Sequence, residues 1–295
     1  MHSVLRHILL TAVLAGLAAQ AMAAEFVTVG PRATGMGGAG VAVTTDALAT
    51  YWNPAGLAMT QTVDIRIQGG GQAIDRRGFG EAIRDLEDFN PNDVSAANTA
   101  RAQDIATRLN QPGANLSVNG SAGLYIKGHF GEHAFGLNIS DVATGGGYIS
   151  TPLSVTAGPS VAGTMTLLGL EARQASLSYA YAFADKTFSI GVTGKIIQGA
   201  AYSGTVALQG GNGVTISNNF GKPTISTTYG IDVGAIYKPA SWIRFGIVAR
   251  DINKPVLGDS RGGEIKLDPQ VRAGMAINPY STLTLTADVD ITANR

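Results

Sequence analysis

Apolar and polar residues alternate with a period of two along most of the chain from about residue 62. In residues 62–71, Val63, Ile65 and Ile67 alternate with polar side chains. Such alternation is typical of a β-strand with one apolar and one polar face. Similar segments recur between short turn signals. They are 116–128, 133–143, 175–183, 186–199, 227–239, 241–252, 265–278 and 281–292, with 161–173 and 203–210 as further candidates.

These segments predict an all-β fold of about ten strands, each long enough to cross a bilayer when tilted. Beyond the N-terminus, no apolar stretch is long enough for a transmembrane helix, and only helices and closed barrels satisfy their backbone groups in lipid. We therefore predict a transmembrane antiparallel up-and-down β-barrel. Its apolar faces contact lipid, and its longer polar connections, 144–160 and 209–225, are external loops. A secreted or periplasmic all-β domain is the alternative.

Aromatic residues near the strand ends suggest girdles at the two membrane interfaces, although each alone is a packing residue by default. The residues are Tyr125, Phe130, Phe183, Phe188, Tyr229, Tyr237, Trp242, Phe245 and Tyr280.

A charged segment at 75–110 interrupts the alternating pattern. Its apolar residues, including Ile83, Leu86 and Ile105, follow a helical spacing, which predicts a short helical insertion at about 79–110. Asn92 and Asp93 are candidates to cap its second helix. The insertion is either a solvated loop without a role or a helical cap that docks a partner at the barrel mouth.

The N-terminus has the composition of a secretory signal peptide at residues 1–24. Arg6 precedes an apolar core at 8–19, and small residues flank a cleavage site at 21–23. The chain contains no cysteine, so the exported protein has no disulfides. Net charge is zero and charged residues make up 14%, which excludes a nucleic-acid footprint and agrees with a membrane protein.

Gly35, Gly37 and Gly40 match the G-x-G-x-x-G spacing of a dinucleotide-binding turn. That turn requires a buried strand before it and a long helix after it. Here Pro31 and Arg32 interrupt the approach, and the segment ends at "YWNPAGL". The spacing, in an exported chain, therefore does not indicate a nicotinamide cofactor.

Candidate catalytic and metal-binding groups are few. His129 and His133, with Glu132 between them, lie across a predicted turn, and the sequence indicates no third ligand. Asp288 and Asp290 share one strand face, and we interpret them as charges on the lumen wall. We predict no enzyme activity, no metal site and no cofactor.

The stretch from Arg32 to Ala58 resembles the N-terminal signature of the FadL-like superfamily of outer-membrane barrels. The resemblance implies a plug at 25–60 inside a fourteen-stranded wall, here at 61–295. It also implies that the plug glycines let the plug move, and that the Asn-Pro-Ala motif holds it where the chain enters the wall. The matching residues are Gly35, Gly37, Gly38, Gly40, Asp46, Asn53, Pro54 and Ala55.

Within that superfamily the chain looks most like a TraF-like group of conjugal transfer proteins. The helical insertion and the stretches 229–258 and 268–294 carry this likeness. The last residues, "DITANR", lack the terminal aromatic of outer-membrane barrels, and about four of fourteen strands are not accounted for. We therefore expect a C-terminally incomplete member.

Two functions follow from the resemblance. The first is passive transport or binding of hydrophobic small molecules through a plugged lumen in the outer membrane of a Gram-negative cell. The alternative is a non-transporting envelope component of a conjugation or secretion apparatus. The expected partners are outer-membrane lipid, a hydrophobic ligand or detergent in the lumen, and other envelope proteins, but no nucleic acid.

Overall fold

The structure, a computed structural model, describes residues 27–156, 159–210, 225–258, 264–280 and 282–292. The predicted signal peptide, most of the 209–225 connection and the last three residues lie outside the described residues. Within them the chain is mostly antiparallel β-structure, with nine strands in one sheet that curls into a half-barrel.

The nine strands of the main sheet pair in chain order, and each pair is antiparallel. In the described residues β1 forms one edge and β11 the other, while β8 and β9 form a separate two-stranded sheet. The strands are β1 (Asp64–Arg76), β2 (Asn115–Phe130), β3 (His133–Thr156), β4 (Ser160–Phe183), β5 (Phe188–Gln209), β6 (Ile225–Ala240), β7 (Ile243–Arg250), β8 (Val256–Gly258), β9 (Glu264–Lys266), β10 (Gln270–Tyr280) and β11 (Leu283–Asp290).

The period-two pattern places apolar and polar side chains on opposite faces of this sheet. On β3, Phe135, Leu137 and Ile139 are exposed, whereas the alternating Asn138 and Ser140 are buried. The other strands follow the same rule near the short turns. The two-faced strands predicted from the sequence are thus confirmed. We call the apolar exposed face the outer face and the opposite one the inner face.

Several strands are longer than predicted: β3 and β4 each span 24 residues, and β5 spans 22. The segments 161–173 and 203–210, predicted as separate strands, are continuous with β4 and β5. The prediction of an external loop at 144–160 was wrong, since almost all of this segment is strand. Its glycine-rich and hydroxyl-rich composition favours a loop locally, but a continuous ladder with β4 decides the outcome.

The helices lie in two groups. Near the N-terminus are α1 (Pro31–Gly35), α2 (Ala49–Trp52) and a 3₁₀-helix (Pro54–Met59). The segment predicted to be helical contains α3 (Phe79–Glu87) and α4 (Ala96–Leu109). None of the helices in the described ranges has the length and apolarity needed to cross a bilayer.

Helix α4 begins with a different cap from the one predicted. The Ser95 hydroxyl accepts a hydrogen bond from the Asn98 amide at 3.2 Å, which is the standard N-cap arrangement. Asp93 instead accepts from the Ser95 amide at 3.0 Å and shapes the turn before the helix. The prediction of Asn92 or Asp93 as the cap was therefore wrong by two or three residues.

Helices α3 and α4 pack against the outer face where β3, β4 and β5 extend beyond the other strands, because Val161 and Met165 keep the alternation of the exposed Leu177 along β4. The contact is an apolar cluster with Phe89 and Leu109 on the helix side. The strands supply Leu153, Val161, Met165, Val206 and Leu208. We call this the helix end of the sheet, and the opposite end, with the short turns at 131–132 and 184–187, the turn end.

Candidate functional site

Residues 27–60, here called the N-terminal segment, cover the inner face of the sheet toward the turn end. Every residue from Ala47 to Met59 is buried. The segment is also held internally: the Trp52 indole donates to the Val29 carbonyl at 2.9 Å, and the Tyr51 hydroxyl donates to the Val27 carbonyl at 2.8 Å. The large aromatic residues of this segment thus hold its first residues, 27–29, and the segment is packed as one unit.

Five inward glycines, each on a different strand, let the N-terminal segment approach the sheet backbone closely. A Cβ at Gly191 would lie 2.5 Å from the Ala55 nitrogen, and one at Gly246 would lie 2.8 Å from the Val41 carbonyl oxygen. Both distances are too short for any larger residue. Gly191 pairs with Gly234, and Gly246 with Gly274, across neighbouring strands. We call the set the glycine surface: Gly136, Gly191, Gly234, Gly246 and Gly274.

Asn53 connects the N-terminal segment to the backbone of two strands. Its side-chain amide donates to the Val41 carbonyl at 3.1 Å and reaches the carbonyls of Ala235 on β6 and Ile247 on β7, each at 3.3 Å. Its side-chain oxygen accepts from the Ala55 amide at 3.1 Å and so begins the 3₁₀-helix. Because the residue is fully buried, each of these bonds replaces water.

Four side chains of the wall bond to the backbone of the N-terminal segment. Asp288 on β11 accepts from the amides of residues 40 and 41 at 2.8 and 3.0 Å. Lys127 on β2 donates to the carbonyls of residues 45 and 60, both at 2.8 Å. Asp64 accepts from the residue 47 amide, and Ser189 donates to the residue 55 carbonyl, also at 2.8 Å. Both edge strands are therefore tied to the same segment.

A buried ion network lies beside this contact. Lys195 contacts Asp232 at 2.8 Å and Asp251 at 2.9 Å, and Arg250 lies 3.8 Å from Asp232. The Arg250 guanidinium also lies over the Tyr51 ring, 4.3 Å from its centroid. Two positive and two negative charges balance, and each carboxylate has a cationic partner. Such a network favours one specific packing of these strands.

The predicted plug residues have different roles in the structure. Gly37 and Gly38 have φ angles of 66° and 87°, which only glycine adopts without strain. A Cβ at Gly40 would overlap the Trp52 indole, whereas Gly35 has open space around it. Asp46 accepts from the Leu48 amide at 3.0 Å and pairs with Arg66 at 3.3 Å.

The Asn-Pro-Ala motif lies at the centre of the contact. Asn53, Pro54 and Ala55 meet Gly191 and Gly234 on β5 and β6. The structure thus brings this motif and Gly40 to the inner face, while Gly35 lies in α1 and Gly37 and Gly38 follow that helix. Whether the segment moves stays a prediction.

Sequence reasoning missed the wall side of this contact. Asp288 was interpreted as a lumen-wall charge, and Lys127 was passed over. The position of Lys127 on the polar face of an alternating strand was the signal that could have revealed it. Tyr125 is fully buried on the inner face, so its assignment to an interfacial girdle was wrong; the strand register turns it inward. The glycine surface carried no signal, because inward glycines resemble ordinary strand glycines.

The described residues contain no group of histidine, cysteine and acidic side chains that could hold a metal ion. His133 pairs with the Tyr179 hydroxyl at 2.8 Å, which accounts for one of the two histidines outside the predicted signal peptide. A small polar cleft of about 260 Å³ lies between residues 36–39 and Arg272, Thr286 and Asp288.

The chain matches a known protein family. The family model described as "F plasmid transfer operon, TraF, protein" matches residues 50–290, which includes the Asn-Pro-Ala motif, the helical insertion and nearly all of the sheet. A search of curated proteins finds no match.

Proposed function

Since this chain belongs to the TraF family of the F plasmid transfer operon, we propose that it is a non-transporting component of a conjugation apparatus in the cell envelope. Together with the family, the proposal rests on the occupied interior of the half-barrel. The N-terminal segment fills that interior and is hydrogen-bonded to β1, β2, β5, β6, β7 and β11.

We place the protein in the outer membrane because of its outer face. Isoleucine, leucine, valine and aromatic side chains dominate that face and remain exposed in the isolated chain. Soluble proteins rarely expose so large an apolar surface, and in membrane barrels this is the lipid-contacting face. The inner face, by contrast, is polar near the turn end and is covered by the N-terminal segment.

Aromatic side chains gather at the turn end of the outer face. Tyr181 and Phe183 have ring centroids 4.6 Å apart, and Phe183 lies 5.9 Å from Phe188 on the next strand. Phe130, Trp242 and Tyr280 are exposed at the neighbouring turns. Aromatic rings of this kind favour the boundary between hydrocarbon and headgroups. They support a membrane interface at the turn end.

The filled interior favours this function over passive transport of hydrophobic molecules. A transport path needs either a lumen or a segment that leaves it. Here Ala47–Met59 are buried against backbone at the glycine surface, and the polar groups of Asn53 are bonded to the wall. Moving the segment out would remove the Asn53 donor from the carbonyls of both Ala235 and Ile247.

More specifically, we propose that the sheet is part of a closed, FadL-like barrel. In lipid, the free edges of β1 and β11 would carry unsatisfied backbone groups, so both need partner strands. The two edge strands run in the same direction, because they are the first and the ninth strand of an antiparallel sheet, with seven strands between them. Antiparallel closure therefore requires an odd number of additional strands.

Helices α3 and α4 are the part of the chain that we expect to meet envelope partners. One surface of these helices packs on the sheet, and the opposite surface is charged. Arg108 donates to Asp85 and pairs with Asp104 at 2.9 Å, and its bond to Asp85 raises the pKa of Arg108 above its ordinary value. These charged side chains give the helices a polar face.

The proposal is tested by deleting the gene from a transfer-proficient strain and restoring it. We expect a lower conjugation frequency that the intact gene restores, with unchanged uptake of a labelled hydrophobic compound. The protein should remain in the outer-membrane fraction after an alkaline carbonate wash. Normal conjugation together with lost uptake would contradict the proposal and favour transport.

A further inference from the structure

The outer face changes from apolar to polar along one line across five strands. The ladder registers align Ala122 with Asp141, Asp141 with Arg173, Arg173 with Gln198, and Gln198 with Thr227. All of these residues except Ala122 are polar, and we call Asp141, Arg173, Gln198 and Thr227 the polar row. Two residues nearer the turn end, a second aligned row is apolar: Leu124, Ile139, Ala175, Ile196 and Tyr229.

A groove of about 550 Å³ runs between these two rows on the outer face. It crosses β2 to β6, so its walls come from neighbouring strands with a continuous ladder. Ile139 and Ile196 on its apolar side are 55% and 60% exposed. A ligand with an apolar part and a polar end would satisfy both sides of this groove at once.

The position of the groove agrees with the thickness of a membrane. From Arg173 in the polar row to Phe183 in the aromatic turn end, the strand rises about 33 Å. For a strand tilted by about 40°, that is about 25 Å along the membrane normal, the height of the apolar band of outer-membrane barrels. If the aromatic residues mark one interface, the polar row lies at the other.

The charges in the polar row define the headgroup that fits. Arg173 donates to Asp141 and to Glu171, both at 3.1 Å, and the three side chains are exposed. Their net charge is −1, so a purely anionic headgroup is repelled. A headgroup with a phosphate and a primary ammonium complements the set, because the phosphate can bind Arg173 while the ammonium binds the carboxylates.

We propose, on the basis of the lipid-facing outer surface proposed above, that this groove binds a glycerophospholipid with a zwitterionic, amine-bearing headgroup. Phosphatidylethanolamine has that chemistry. Its acyl chains lie over the apolar row, and its headgroup lies in the polar row against Arg173 and Asp141.

The test uses the full chain, reconstituted in vesicles of equal parts phosphatidylethanolamine and phosphatidylglycerol. After mild detergent extraction, mass spectrometry measures the lipids that remain with the protein. We expect phosphatidylethanolamine to be enriched about threefold, as for an exposed ion pair. Arg173→Gln should abolish the enrichment, and Asp141→Asn should shift it toward phosphatidylglycerol. Arg101→Gln, which removes an exposed guanidinium from α4, is the matched control and should leave it unchanged.

Two results would overturn the groove proposal: no enrichment with the unaltered chain, or the same enrichment in Arg173→Gln. Displacement of the retained lipid by inorganic phosphate would also overturn it, since the site would then recognise phosphate without the acyl chains. Failure of the proposed membrane location is recognised separately, because the unaltered protein would then not float with the vesicles at all.

Discussion

The two faces of the half-barrel are covered in different ways, the outer face at the helix end and the inner face at the turn end. At the helix end, α3 and α4 pack through large apolar side chains, such as Phe89 and Leu109 on Leu153. At the turn end, the N-terminal segment lies on a surface of glycines and is joined to it by polar bonds from residues such as Asn53 and Asp288. Apolar packing tolerates changes that conserve volume, whereas backbone contact through glycine tolerates none.

Truncating Phe89 should produce the largest effect at the helix end. Phe89→Ala leaves a cavity where a fully buried ring packs beside Gly210, and should lower the free energy of unfolding by about 3–5 kcal/mol. Denaturant unfolding with hydrogen exchange measures it. We expect α3 and α4 to lose protection while residues 47–59 keep theirs. Equal loss of protection in both regions would show that the two ends form one cooperative unit.

Adding side-chain volume to the glycine surface should have the opposite effect: the N-terminal segment should lose protection while α3 and α4 keep theirs. Gly191→Val places carbon atoms against the backbone of Pro54 and Ala55, and should cost about 3 kcal/mol. Gly194→Val on the same strand is the control, because its outward position has open space. Limited proteolysis should cleave the N-terminal segment in the first variant only. Resistance in both would contradict the close contact described above.

Removing the Asn53 amide tests the polar part of the same contact. Asn53→Leu keeps the volume but leaves the carbonyls of Val41, Ala235 and Ile247 without this donor, at a cost of about 2 kcal/mol. Asn253→Leu is a comparison, since Asn253 also bonds to two backbone groups but is exposed, and water can replace it. Thermal unfolding should show a clearly larger shift for Asn53. Equal shifts would mean that burial of the amide is unimportant.

The smallest effect is expected at the edge strand. Asp288→Asn keeps one acceptor for the amides of Gly40 and Val41 but removes the charge, and should cost about 1 kcal/mol. Asp290→Asn, which affects the pair with Arg272 at 2.6 Å, is the control. Hydrogen exchange at residues 40 and 41 should accelerate only in Asp288→Asn. Faster exchange in both variants would show that the whole edge, and not this bond, protects the amides.

The contrast also explains what the sequence could predict. Alternation revealed two-faced strands, and helical spacing revealed α3 and α4, because both signals come from large apolar residues at regular intervals. The continuation of β3 through Gly145–Gly147 was missed, since pairing with β4 outweighs local composition. The wall side of the candidate site was also missed. A glycine such as Gly234 acquires its role only when the fold brings Asn53 to it, from 181 residues earlier in the chain.

The central claim is that the N-terminal segment remains in place while the protein works. The chain has no cysteine, so Thr50→Cys with Gly136→Cys introduces a unique pair where the Thr50 methyl group already meets β3. We predict that the disulfide forms and that conjugation frequency with the oxidised double variant equals that of the same variant after reduction. Loss of conjugation on oxidation, restored by reduction, would show that the segment must move and would contradict the account.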